Sequence, residues 1–402
     1  MTVERAEIAI VGAGPAGAVL GTWLARAGHD VVVLERAPAW RWHACGVFTS
    51  PATLPVLRRA GLSQHTLDDI ARPLPAMRVE TPLGTAFRLT YGTESGGHPA
   101  IGFDRSRLDP ALIELARQAR ADVRQGRRVV GVEPEHGVVE VAGRNGESSR
   151  LRADVVVGAD GLRSIVARVA GVVRTPFMGP RVGLTYHHRD PDEHSRRDAR
   201  MIVLDDGYVG IAPVASGRVN VGIVLGERWR PALASRGAAA VVDEIVAGIR
   251  PTADDPASWR LTPREDAIAG ASPLGQSVSR RAGRRWLLVG DAAGFLDPFT
   301  GEGLHRALVS AELAAGAIHA RSRGHGSAFA AYERAMHRRF LAKDGASWLV
   351  QAFLGRPVAF EYAARRLATR STVRATMGLV MGDLAPPTRV LDPRYLARLL
   401  AP

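Results

Sequence analysis

Three glycines and three carboxylates carry most of the chemistry that the chain announces. Gly12, Gly14 and Gly17 of the stretch GAGPAG follow an apolar run, Ile8 to Val11, and precede Ala18 to Ala27, which reads as a helix. A glycine-rich turn between a buried strand and a helix lets backbone N–H groups approach a pyrophosphate, which then sits at the positive end of the helix. Ala13, Pro15 and Ala16 complete that turn. Glu35 closes a second apolar run, Val31 to Leu34, close to the roughly 20-residue spacing at which an acid meets ribose hydroxyls. Strand, turn, helix, strand and acid together predict an adenine dinucleotide. A carboxylate at the ribose disfavours a 2′-phosphate, which leaves NAD or FAD.

Two further carboxylates stand in comparable settings. Asp160 and Gly161 belong to GADGLRS, directly after the apolar Val155 to Val157; Gly290 and Asp291 open GDAAGFLDPFTGEGLHRAL, directly after Leu287 to Val289. Both stretches read as strand-to-turn-to-helix corners. Such corners lie along the carboxyl edge of a parallel sheet, where open α/β folds hold their ligands. The simpler alternative for each aspartate is N-capping of the helix that follows.

The elements needed to position these corners can be traced along the chain. Residues 51 to 61 read as a short helix, and Met77 to Tyr91 as a hairpin around Pro82-Leu83-Gly84. A helix is expected over Asp109 to Arg120, then strands around Val129 to Val132, Val138 to Val141 and Leu151 to Val157, with a turn at Arg144-Asn145-Gly146. Residues 176 to 262 alternate short strands and turns, as in GYVGIAPVASGRVNVGIVL, and form a second, mostly antiparallel sheet. Everything after Gly303 is largely helical. The chain therefore passes back and forth between two sheets.

Composition narrows the class of protein. With 402 residues, 46% hydrophobic and 23% charged, the chain reads as a soluble globular protein of more than one domain. No apolar stretch approaches the roughly 20 residues that span a bilayer, and MTVERAEIAI carries no signal peptide, so a cytoplasmic enzyme is expected. Cys45 is the single cysteine, which excludes an internal disulfide and cysteine metal sites. His187, His188 and His194 are loosely spaced without accompanying ligands, so no metal site is expected. The net charge of +13 comes almost wholly from scattered arginines, Lys343 being the one lysine. No nucleic-acid motif accompanies that charge. It is compatible with weak attraction to an anionic membrane surface. The segment PPTRVLDPRYLARLL ends in a short amphipathic helix, expected to pack on the dinucleotide unit in preference to touching a membrane.

On these three motifs the chain resembles the FAD-dependent oxidoreductases that share the para-hydroxybenzoate hydroxylase fold, most closely the geranylgeranyl reductase group. The resemblance implies an α/β fold in which a Rossmann-like FAD-binding domain (1–75, 100–175 and 263–335) is interleaved with a mostly antiparallel substrate-binding sheet (76–99 and 176–262). A helical C-terminal region, 336–402, follows. It implies FAD in the first nucleotide unit, with NAD(P)H as a transient donor because no second GxGxxG unit is present. The residues carry over as follows. Gly12, Gly14 and Gly17 shape the pyrophosphate turn, with Ala13, Pro15 and Ala16 lending backbone contacts. Glu35 holds the adenosine ribose, and Arg36 and Arg41 are phosphate partners. Arg105, in DRSRLD, reaches the flavin side of the pyrophosphate, while Val129 meets adenine through its backbone. Asp160 and Gly161 support FAD and passing NADPH, and Gly290 and Asp291 take the ribityl side. Gly301, Glu302, Gly303 and Leu304 open a helix beside the isoalloxazine ring, where unpaired N–H donors favour the anionic reduced form.

Members of this superfamily hydroxylate, halogenate or reduce isoprenoid double bonds. The lysine and the WxWxIP stretch of the halogenases are absent. Cys45-Gly46 and PFTGEGL match the geranylgeranyl reductases, but their YxWxFP stretch here reads Tyr208-Val209-Gly210-Ile211-Ala212-Pro213. Two large aromatics are thereby replaced by glycine and alanine, which predicts a roomier pocket for a bulkier hydrophobic small molecule. Substrate-side candidates are His43, Cys45, Gly46, Tyr208 and Pro298, with Trp40 and Trp42 as neighbours in the WRWHACG loop. The leading expectation is a monooxygenase of specialised metabolism, performing hydroxylation or epoxidation. The alternatives are a geranylgeranyl-reductase-like C=C reductase of an isoprenoid or polyketide, and a non-redox flavin-dependent cyclase.

Overall fold

The computed structural model describes residues 3–92, 99–142, 148–175, 179–193 and 197–401. The first apolar run lies in the strand Val3–Val11. It is paired in parallel with Val31–Glu35 on one side and Ser148–Gly158 on the other. Ile8 to Val11 are buried, as strands covered on both faces must be. Asp122–Gln125 extends the sheet beyond Val31–Glu35, and Val138–Ala142 and Arg128–Glu133 extend it beyond Ser148–Gly158. The long Ser148–Gly158 strand has two neighbours on the same side. Its first half pairs antiparallel with Val138–Ala142, and its last three residues pair in parallel with Trp286–Leu288.

This register brings the three corners together. Val11 stands opposite Gly158 and Leu34, and Gly158 stands opposite Leu288. The strands leading to Gly12, Ala159 and Val289 therefore end side by side at one carboxyl edge.

The second sheet has seven strands in the order Ala269–Leu274, Arg181–Arg189, Arg218–Leu225, Gly207–Val214, Ala199–Leu204, Ala76–Glu80 and Ala86–Thr90. Only the Ala199–Leu204 and Ala76–Glu80 pair is parallel. Period-two alternation divides its faces. Tyr186, Val209, Ile211, Val221 and Ile223 pack with the Arg230–Ala247 helix in one apolar cluster. Met201, Tyr208, Ala212 and Val224, on the opposite face, join a cluster with the C-terminal helices.

Some segments sit elsewhere than the sequence suggested. Ala269–Leu274, inside the stretch assigned to the dinucleotide unit, hydrogen-bonds to the second sheet. Its sequence, AGASPL, has no alternation that could have revealed this. Phe48–Thr49 and Ala71–Leu74 pair on either side of Ala100–Phe103 in a small third sheet. The helix expected from Asp109 begins at Arg105, where the Asp104 carboxylate accepts the Ser106 N–H at 2.9 Å. The Arg144-Asn145-Gly146 turn lies outside the described residues, as does His194.

Beyond Gly303 the chain is helical, through Gly303–Ser322, Ala328–Leu354, Pro357–Thr369, Ser371–Met381 and Pro393–Leu400. The last of these buries Tyr395 and Leu399 among Phe360, Leu367 and Val373. Its apolar face is thus used in packing, on the cluster that holds Met201 and Tyr208 of the second sheet and not on the first sheet. Among the described residues no helix is long and apolar enough to cross a membrane. Lys343 is buried; its amine donates to the Val380 carbonyl at 2.9 Å and pairs with Asp383 at 2.9 Å and Glu302 at 3.6 Å.

Candidate active site

The first corner is a backbone cradle. Gly12 has φ +101°, and a Cβ there would lie 2.5 Å from the Ala159 carbonyl oxygen, so only glycine lets the first and second corners touch. Gly14 is the N-cap of the helix Pro15–Arg26 and offers no side-chain cap, which leaves the first N–H groups of the helix unpaired by any side chain. A Cβ on Gly14 would meet no heavy atom within 4 Å, and the same holds for Gly46 and Gly161. Open space therefore lies against the positive end of the helix.

Carboxylates surround that space. Glu35 accepts the Ala13 N–H at 3.0 Å and the Ala37 N–H at 2.8 Å, which locks it beside the turn while it stays partly exposed. The Arg127 N–H donates to the Glu35 carbonyl at 2.8 Å, so the segment leading to Val129 borders the same end. Asp160 accepts the Ile165 N–H at 2.7 Å through one oxygen, and its other oxygen is buried without a partner. Burial raises its pKa. N-capping thus accounts for only half of the Asp160 carboxylate, and Ser164 is the cap of the Ile165–Val169 helix. Burial likewise pushes Asp291 up to about 6, against the pull of Arg105 and Arg306.

Arg105 is buried and fully engaged. It makes a bidentate pair with Asp109 at 2.7 and 2.9 Å and donates to the Gly46 carbonyl at 2.8 Å. It therefore fixes the Cys45-Gly46 segment against the nucleotide unit. Arg36 and Arg41 have exposed side chains. Glu302 turns its carboxylate inward, toward Thr300 and Ser347 at 3.0 Å each and toward Lys343. What Gly301, Gly303 and Leu304 present is the N-terminus of the Gly303–Ser322 helix, again without a side-chain cap.

The substrate side is built differently, from side chains of neighbouring strands. Gly210 stands opposite Gly222 and Met201, Gly222 opposite Thr185, and Asn220 opposite both Ala212 and His187. No heavy atom lies closer than 3.7 Å to a Cβ built on Gly210 or 3.8 Å to one built on Gly222. Gly210, at one of the two replaced aromatic positions, thus forms a glycine floor with Gly222 of the neighbouring strand. Trp42 borders it: its indole N–H donates to the Thr185 carbonyl at 3.3 Å, and its ring meets His187 edge-on at 4.4 Å. Tyr208 donates to Asp297 at 2.6 Å, which also accepts from Arg181 at 2.8 Å and from the Phe299 N–H at 2.9 Å. Tyr208 is therefore a strut that ties the sheet to the Pro298–Thr300 turn and the third corner.

His43 is exposed, and its Nδ1 donates to the Arg41 carbonyl at 3.1 Å. Burial pushes the Cys45 thiol up to about 12, Arg105 opposing and Asp109, Asp266 and Asp291 adding to the rise. Cys45 remains a thiol at neutral pH. The sequence passed over Asp297, Asn220, Thr185 and Asp266, which the structure brings to this place; Asp266 pairs with the buried His187, Oδ2 and Nδ1 being 2.6 Å apart. One signal was available. In RVNVGIVL, Asn220 and Gly222 alternate with valines and isoleucine, which marks a polar spot on an otherwise apolar strand.

An uncapped helix end, open glycines and an orphaned Asp160 oxygen fit an extended dinucleotide. The fold and the site define a flavoprotein oxidoreductase. The chain belongs to the FAD binding domain family, which matches residues 5–341. It is 31% identical over 330 residues to a menaquinone reductase of Mycolicibacterium smegmatis, covering 77% of this chain and 76% of that one. It is also 31% identical over 329 residues to digeranylgeranylglycerophospholipid reductase 1 of Methanopyrus kandleri, covering 77% and 79%. Among solved structures, a flavoprotein/dehydrogenase of Cytophaga hutchinsonii superposes with a TM-score of 0.80 at 16% identity, over 98% of this chain and 95% of that one. PqsL of Pseudomonas aeruginosa, described as a "probable FAD-dependent monooxygenase", superposes with a TM-score of 0.72 at 21% identity, over 89% and 99%. The protein is an FAD-dependent oxidoreductase.

Proposed function

We propose that this FAD-dependent oxidoreductase is a cytoplasmic monooxygenase of specialised metabolism that hydroxylates or epoxidises a hydrophobic, ring-bearing small molecule, with NAD(P)H as transient electron donor. The observation that carries this is the floor formed by Gly210 and Gly222 on adjacent strands. A fused or substituted ring can lie flat on two open glycines, whereas a single polyprenyl chain would leave them underfilled and lose dispersion contacts.

Bound FAD supplies two-electron chemistry, taking hydride from a nicotinamide and delivering electrons to oxygen or to a carbon–carbon double bond. The protein's part is binding, orientation and electrostatics. Unpaired N–H groups at the start of the Gly303–Ser322 helix favour negative charge on a reduced ring. Tyr208, Asp297 and Arg181 hold the segment that carries this helix start. Trp42 and Phe299 give the floor apolar walls.

A second reading, a C=C reductase, draws support from the two reductase relatives and from Cys45-Gly46. Oxygen separates the two. Purified holoprotein is given NADPH or NADH and a panel of hydroxylated polycyclic aromatics and polyprenyl compounds, and oxygen uptake is followed beside product mass. A monooxygenase consumes oxygen in step with the nicotinamide and yields a product heavier by one oxygen atom. Anaerobic turnover to a product heavier by two hydrogens overturns this proposal in favour of the reductase.

A further inference from the structure

Asn220 sits on the substrate floor with its amide orientation dictated from behind. Its Nδ2 lies 3.0 Å from Thr185 Oγ1, 3.2 Å from the Tyr186 carbonyl and 3.3 Å from His187 Nε2. A backbone carbonyl can only accept, so the atom facing it must be the NH2 group. His187 imposes the same choice independently. Its Nδ1 carries the proton donated to Asp266, so Nε2 is a bare acceptor that also needs a donor. Burial lowers the pKa of His187, against the pull of Asp266 and Asp104 and with help from Arg218, which favours that neutral tautomer.

With Nδ2 committed to the protein, Oδ1 faces the other way. It is the atom nearest to the space above Gly222, 3.8 Å from where a Cβ would stand, and it accepts no hydrogen bond among the described residues. Asn220 is 5% exposed, and Thr185 and His187 beside it are buried as well. An acceptor in so enclosed a place penalises any partner that brings a second acceptor or an apolar group against it.

We propose that Asn220 Oδ1 is a substrate-binding acceptor, so that the site selects ring-bearing molecules carrying a hydroxyl or amino donor over their ethers of the same shape. His187 and Asp266 are positioning residues that hold the amide in this orientation. The inference rests on the identification of this sheet face as the substrate floor, and holds whether the bound molecule is then oxygenated or reduced.

Binding to the oxidised holoenzyme, read by the flavin difference spectrum, tests it without turnover. The probes are matched aromatic pairs such as 2-naphthol and 2-methoxynaphthalene, or a long-chain alkylphenol and its methyl ether, with 2-aminonaphthalene as the amine arm. The donor member of each pair is expected to bind about tenfold or more tightly. Asn220→Leu is expected to abolish the preference while flavin is retained. Asp266→Ala, which frees the His187 tautomer, weakens the preference, and Asp266→Asn, whose amide oxygen can still accept from Nδ1, restores part of it. Equal binding of donors and ethers by the unaltered enzyme, no binding by any donor member, or an undiminished preference in Asn220→Leu each overturns the proposal. Anaerobic turnover would remove the monooxygenase assignment and leave this preference standing, so the two failures are distinguishable.

Discussion

The glycine-turn cradle and the proposed substrate floor are made of different material. In the cradle, function resides in the backbone: Gly12 at φ +101°, an uncapped helix at Gly14, and carboxylates held by N–H groups. On the floor it resides in side chains that meet only across strands, such as Asn220 with His187 and Gly210 with Gly222. Backbone devices need glycine at fixed spacing and so tolerate little change. A floor of cross-strand neighbours can be re-dressed one residue at a time. The difference separates a backbone device, which local sequence fixes, from a side-chain surface, which single substitutions can reshape.

Substitutions that fill space should show this division most sharply. Gly14→Leu meets no protein atom at its Cβ and should leave the fold intact, yet its side chain enters the cradle. FAD affinity should fall at least about 100-fold, seen as colourless protein with an unchanged far-ultraviolet circular dichroism spectrum. Full flavin occupancy in that variant would break the distinction. Gly222→Phe should do the converse, keeping FAD while catalytic efficiency toward bulky ring substrates drops on the order of tenfold, measured by steady-state kinetics.

The smallest effect concerns charge. Burial holds Asp291 at about 6, above the ordinary aspartate range, so between about pH 4 and pH 6 the unfolded chain gives up this proton before the folded one. Apoprotein stability attributable to Asp291 is therefore present in acid and lost as pH rises through about 6. Asp291→Asn has no such proton to lose. Its melting temperature relative to the unaltered apoprotein should move upward by about 1–3 °C from pH 4 to pH 7, and a difference that stays constant would show that Asp291 is not desolvated.

The same division explains what the sequence could reveal. Each corner was legible because a short local motif marks it: Gly12 to Gly17, Asp160-Gly161 and Gly290-Asp291 each follow closely on an apolar strand. The alternation in Gly207–Val214 and Arg218–Leu225 exposed the second sheet and the small residues at 210 and 212. It could not show that Asn220 meets His187, because strand register is set by packing across the sheet. Ala269–Leu274, too poor in large apolar residues to alternate, was invisible as a member of that sheet. Arg105 was expected at the pyrophosphate, but its bidentate pair with Asp109 and its bond to the Gly46 carbonyl show it fastening the Cys45 loop.

The side-by-side alignment of Val11, Gly158 and Leu288 also constrains the order in which the protein can be assembled. During synthesis the first glycine turn emerges long before the strand at Trp286, which completes its carboxyl edge. Until that strand is inserted beside Ser148–Gly158, a nascent chain lacks one wall of the vitamin-derived coenzyme's berth. A chain ending before Trp286 is therefore expected to hold no FAD, which a colourless purified fragment would show.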